Sequence, residues 1–139
     1  MQRSRPVFRL GLLRMEGDAL QFQPDPHLEF TARAGEEVDV LVAFEYREAS
    51  HEREDLHAVL TIESPGMPTE RVEHRVEDRP VLNDDVRGVL LHTARFPSPG
   101  DHTATYRVEA VARLGKWEDG EPSRERHLTR AGRFLVRVR

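Results

Sequence analysis

The chain has no cysteine and a single lysine, Lys116; its other cationic side chains are all arginine. Without cysteine there are no disulfides, no thiolate zinc sites and no cysteine nucleophile, which fits a reducing compartment. Aromatic residues make up 6% of the chain, too few for a surface on which bases stack. No run approaches the roughly 18 apolar residues of a membrane helix. The apolar stretch Leu10 to Leu13 is bounded by Arg9 and Arg14 and is too short for the central region of a signal peptide. Neither sign of charge dominates either: 25 acidic residues face 21 basic ones, for a net charge of −4. That balance gives little steering toward polyanions. The composition therefore predicts a soluble, cytoplasmic protein with neither nucleic acid nor membrane as partner.

What is present is a period-two pattern of short segments. A length of 139 residues suits one domain with its own core, so residues 1–139 are read as a single unit. Apolar residues are 37% and charged ones 33%, as expected where every second strand residue faces water. The clearest segment is Glu37 to Arg47, in which Val38, Val40, Val42, Phe44 and Tyr46 alternate with Asp39, Leu41, Ala43 and Glu45. Other strands are read at His57 to Glu63, with Ala58, Leu60 and Ile62 inward, and at Thr103 to Leu114, with Ala104, Tyr106, Val108, Ala110, Ala112 and Leu114 in one phase. Gly132 to Arg139 carries Phe134, Val136 and Val138 in one phase. Weaker strands fall at Val7 to Leu13, Leu28 to Ala32 and Arg71 to Glu77, the last with so few apolar anchors that it reads as an edge.

Gly88 to Phe96 is apolar in both phases, Val89 and Leu91 in one and Leu90, Ala94 and Phe96 in the other; a bulge would reconcile them. Arg47 to Asp55, Asp78 to Arg87 and Gly115 to Arg130 read as connections, the last holding Trp117. Ser64-Pro65-Gly66 and Pro97-Ser98-Pro99-Gly100 are turn sequences. Strand-sized segments with no amphipathic helical pattern predict an all-β, two-sheet antiparallel sandwich.

The stretch Phe96 to Val108 resembles the E–F corner of immunoglobulin-like domains, which reads Asp-x-Ala-x-Tyr-x-Cys. His102, Ala104, Tyr106 and Val108 stand at those positions. The resemblance implies an immunoglobulin-like architecture in which the Tyr106 hydroxyl bonds upstream backbone at the corner. His102 replaces the aspartate and Val108 the second cysteine, Val40 or Val42 stands where the first would be, and the strand in the C position has no tryptophan. It implies no function, since such sandwiches host many unrelated tasks.

Chemistry-bearing groups do not form a recognisable constellation in the sequence. The seven histidines include no His-x-His or His-x-x-x-His pair, so no local zinc spacing exists. Pro24-Asp25-Pro26-His27 reads as a rigid polar turn. Ser50 precedes His51 without a nucleophile elbow, and no Gly-x-Gly-x-x-Gly or Walker loop occurs. Acidic residues such as Glu48, Glu52, Glu54, Asp84 and Asp85 lie in loops or on outward phases.

Three strand residues on the outward phase are apolar: Val59, Val111 and Leu135. If their strands take the adjacent order C, F and G, all three share the outer face of one sheet. The expectation is a non-enzymatic interaction or assembly module, without cofactor, that binds another protein or its own copy through that face. The alternative is a metal-dependent or carbohydrate-binding domain using loop residues such as His51, His57, His127 or Trp117.

Overall fold

Period-two alternation becomes nine β-strands in two packed sheets, with no helix among the described residues. The structure is a computed structural model that describes residues 5–16, 19–47, 53–80, 86–115 and 124–139. The strands are β1 (Val7–Glu16), β2 (Ala19–Pro24), β3 (Glu29–Ala32), β4 (Glu37–Arg47), β5 (Arg53–Glu63), β6 (Glu70–Pro80), β7 (Val86–Arg95), β8 (Gly100–Gly115) and β9 (Arg124–Val138). One sheet has the order β2-β1-β4-β7 and the other β3-β9-β8-β5-β6. The segments expected to be neighbours lie side by side as β5, β8 and β9, and β6 is an edge.

The sheets are mixed, which corrects the expectation of a purely antiparallel sandwich. β1 runs parallel to β4, and β3 runs parallel to β9. Parallel neighbours need a connection that returns the chain to the same end. Between β1 and β4 that return is made by β2 and by β3, which sits in the opposite sheet. Alternation reports which face a side chain takes and is silent on strand direction, so the sequence pattern is the same for either orientation.

Three expected connections are partly strand. β4 reaches Arg47 and β5 begins at Arg53. β6 extends to Pro80 and β9 begins at Arg124; in the first half of β9, Leu128 is the one buried apolar side chain. Glu48, Ser50, His51, Glu52, Asp84, Asp85 and Trp117 lie outside the described residues.

The bulge expected in β7 is not there. Its register with β4 runs unbroken from Glu37↔Arg95 to Tyr46↔Val86. The register shifts lie instead in β1, between Arg9 and Gly11, and in β5, between Glu54 and Leu56. The first of these explains why β1 buries Phe8 and Leu10 and then Leu13 and Met15, a spacing strict alternation forbids.

Both inner faces close on one core: Val38, Val40, Val42 and Phe44 of β4 and Leu90 of β7 oppose Leu60 of β5, Val108 of β8 and Val136 of β9. Five of the six phenylalanines and Tyr106 form a chain of ring contacts across the two sheets. Phe96 meets Phe8 at 6.4 Å, and Phe8 stacks on Phe30 at 4.5 Å. Phe30 meets Phe134 at 6.0 Å, Phe134 meets Tyr106 at 6.4 Å, and Tyr106 meets Phe22 at 6.0 Å. Such offset and edge contacts add about 0.5–1.5 kcal/mol each beyond burial, so these rings help to join the two sheets.

Tyr106 is buried, but not as a corner tie. Its phenol lies over Gly132, its register partner on β9, so closely that a Cβ there would stand 2.4 Å from the hydroxyl oxygen. At the corner itself the side chain of His102 takes that part: its Nε2 donates to the Ser98 carbonyl at 2.7 Å, and Gly100 turns the chain at φ 126°.

Candidate functional site

On the outer face of the five-stranded sheet the strand registers bring Val59 and Val111 together and leave Leu135 apart. Val111 sits between His57 on β5 and His127 on β9, and Val59 sits one step along, between Glu73 on β6 and Glu109 on β8. Leu135 is eight residues beyond His127 on β9, about 27 Å away at strand rise. Val59 is buried, while Val111 and Leu135 are half-buried.

Around Val59 and Val111 the surface is charged and mutually paired. His57 Nε2 lies 3.2 Å from the Glu73 carboxylate, which also accepts from Arg71 at 2.8 Å. Arg107 meets Glu109 at 2.7 Å. Arg113 donates to Glu125 at 3.2 Å, and His127 Nε2 contacts the other Glu125 oxygen. Arg113, with His127 second, holds the Glu125 carboxyl below its usual range. That direction is opposite to the raised pKa a general acid requires.

Leu135 instead lines a shallow groove of about 660 Å³ at the β3–β9 edge, with His27, Glu29, Thr103 and Arg133 among its walls. The turn before it is built as the sequence implies: Asp25 Oδ1 accepts the His27 N–H at 2.9 Å. Among the described residues no three histidine, aspartate or glutamate side chains converge as a metal-holding group. No helix among them is long and apolar enough to cross a membrane.

The four-stranded sheet carries the apolar surface that sequence reasoning missed. Val89 is 49% and Leu91 40% exposed, both on the outward phase of β7. In the register, Leu91 pairs with Leu41, which pairs with Arg9, and Val89 pairs with Ala43, which pairs with Leu12. Leu12, Leu41, Ala43, Val89 and Leu91 thus form one continuous strip across β1, β4 and β7, with the first three half-buried.

Charge closes the strip at both ends. At one, Arg5 bridges Glu37 and Asp39 at 3.0 and 3.6 Å, and Arg95 meets Glu37 at 2.7 Å. At the other, Arg14 lies 3.6 Å from Glu45. The signal was present in the two apolar phases of 88–96 and in Leu41 and Ala43 on the outer phase of β4. The strip is thus apolar along its length and bounded by ion pairs at its ends.

Compared with known protein families, curated proteins and solved structures, the chain shows no significant match to any of them.

Proposed function

We propose that the domain is a non-enzymatic interaction module that binds a protein partner through a sheet face, and that this face is the outer side of the four-stranded sheet. The observation that carries the reading is the exposure of Val89 and Leu91 within the strip they form with Leu12, Leu41 and Ala43. The opposite face offers less, because Val59 is buried and Val111 is enclosed by ion pairs.

Two further features support the reading. The exposed carboxylates and imidazoles that do cluster are engaged with neighbouring side chains, as Glu125 is with Arg113 and His127, which suits a scaffold. An immunoglobulin-like arrangement is favoured by the antiparallel pairing of β4 with β7 in one sheet and the sequence β9-β8-β5-β6 in the other. The β1–β2 hairpin, with β1 parallel to β4, is then an addition to that arrangement.

The test is affinity capture on immobilised full chain, with each retained polypeptide identified by mass. Leu41→Glu, in the middle of the strip, should lose a partner that the wild type retains. Val111→Asp combined with Leu135→Asp, on the other sheet, should retain it. If the second variant loses the partner and Leu41→Glu keeps it, the faces are reversed and the proposal falls.

A further inference from the structure

Sandwich sheets end in edge strands whose backbone groups can pair with another chain unless something prevents it. Three of the four edges here are guarded. β3 has four residues, and β2 has six and ends at Pro24 with Pro26 close behind. β6 is long but rich in charge, Glu70, Arg71, Glu73, Glu77, Asp78 and Arg79 among its residues, and it closes on Pro80. β7 has none of these protections. It runs ten residues without proline and keeps an unbroken register with β4, and its charges are confined to Arg87 and Arg95. Among the described residues no strand pairs with its outer side.

We infer that β7 pairs antiparallel with β7 of a second copy of this chain, joining the two four-stranded sheets into one eight-stranded sheet. The inference rests on the interaction-module reading and adds a second copy at the edge of the same sheet.

The register follows from the side-chain pattern. Residues directly opposite one another in an antiparallel pair share a face, so on a two-fold axis an inward residue must face an inward one. Placing the axis at Leu90 sets Leu90 against Leu90 on the inner side. On the outer side it sets Val89 of each copy against Leu91 of the other.

The strip of one molecule then continues into that of its partner, and the open flank of Val89 and Leu91 is covered. Moving the axis to Leu91 would place Arg87 opposite Arg95 of the second copy and Val89 opposite Thr93. Moving it to Val89 would place Leu91 opposite Arg87. Each alternative keeps one outer apolar pair, Leu91 with Leu91 or Val89 with Val89, in place of two, and the first adds a like-charge contact. Nine paired residues span about 30 Å. Across a sheet about 10 Å thick they bury on the order of 600 Å² in total, which is the size of a transient association.

The chain's lack of cysteine makes the register directly readable. Full-length Val89→Cys and Leu91→Cys proteins, mixed in equal amounts and oxidised, should give a disulfide dimer, and neither variant alone should. Sedimentation equilibrium of the wild type from about 1 μM to about 1 mM should show mass rising from 16.0 kDa toward twice that value. Leu91→Lys, which adds the charge typical of guarded edges at a residue already 40% exposed, should weaken self-association at least about tenfold. Its circular dichroism and unfolding midpoint should be unchanged.

A single monomer mass over the whole range overturns the inference. The interaction reading still stands in that case if Leu41→Glu abolishes capture of a different protein. A dimer that survives Leu91→Lys and gives no mixed disulfide also overturns it, placing the contact elsewhere on the molecule.

Discussion

Gly132→Ala should destabilise the protein through one side chain, Tyr106. An added Cβ would stand 2.4 Å from the tyrosine oxygen, 2.5 Å from Cζ and 2.7 Å from Cε1, where unstrained carbon contacts begin near 3.5 Å. The ring must move by roughly 1 Å. It has little room to do so, being 3% exposed and flanked by Phe22 and Phe134. Overpacking of this kind costs about 1–3 kcal/mol, or a fall of about 3–10 °C in Tm for a domain of this size.

Urea unfolding should show a lower midpoint at unchanged slope. The cause is isolated by repeating the substitution in a Tyr106→Leu background, where the ring is gone and alanine should be neutral or slightly stabilising. A coupling of about 1–3 kcal/mol is expected between the two sites. An equal cost in both backgrounds, or none in either, would refute the argument that the phenol packs on the glycine.

Three other outcomes follow from the packing. Burial raises the Tyr106 pKa above its ordinary 10.0, so above that value the unfolded chain releases a proton that the folded one keeps, and stability falls as pH rises. Unfolding midpoints measured from about pH 8 to about pH 11 should show that decline, and Tyr106→Phe should lessen it while changing stability near neutrality by less than about 0.5 kcal/mol. Val59 is 8% exposed between Glu73 and Glu109, so Val59→Asp should cost about 2–3 kcal/mol and Val59→Lys about 1 kcal/mol less, a ranking that chemical denaturation would reverse if the two carboxylates did not flank the site. Gly100→Ala should cost about 1–2 kcal/mol by thermal melting, because φ 126° is closed to a side chain.

Much of the architecture was legible because inward phases are dense in β4, β5 and β8. Val38 to Phe44, Ala58 to Ile62 and Ala104 to Ala112 are all buried as their alternation implies. Two kinds of information were missing. Strand direction leaves no trace in alternation, so the parallel pairs β1/β4 and β3/β9 could not be read. Burial of an outward side chain depends on its cross-strand neighbours, so Val59 and Leu91 look equivalent in sequence. One is enclosed by the strands on both sides of it, and the other stands on an edge strand.

The placement of β3 has a consequence for the order in which the protein can be made. Residues Glu29 to Ala32 take their ladder from Leu135 to Val138, so a strand synthesised early waits for one synthesised almost a whole chain later. The sheet of β1, β2, β4 and β7 is complete once Arg95 has emerged, yet the apolar face of Val38, Val40, Val42 and Leu90 is covered by side chains of β5, β8 and β9. At about 5–20 residues per second, synthesis of β8 and β9 leaves that face only partly covered for roughly 2–9 s. Non-local pairing is slow in any case, and here the ribosome sets a floor beneath it. A nascent chain of this protein therefore carries a partly covered hydrophobic sheet for seconds, and in the cell that interval belongs to whatever holds unfinished chains apart.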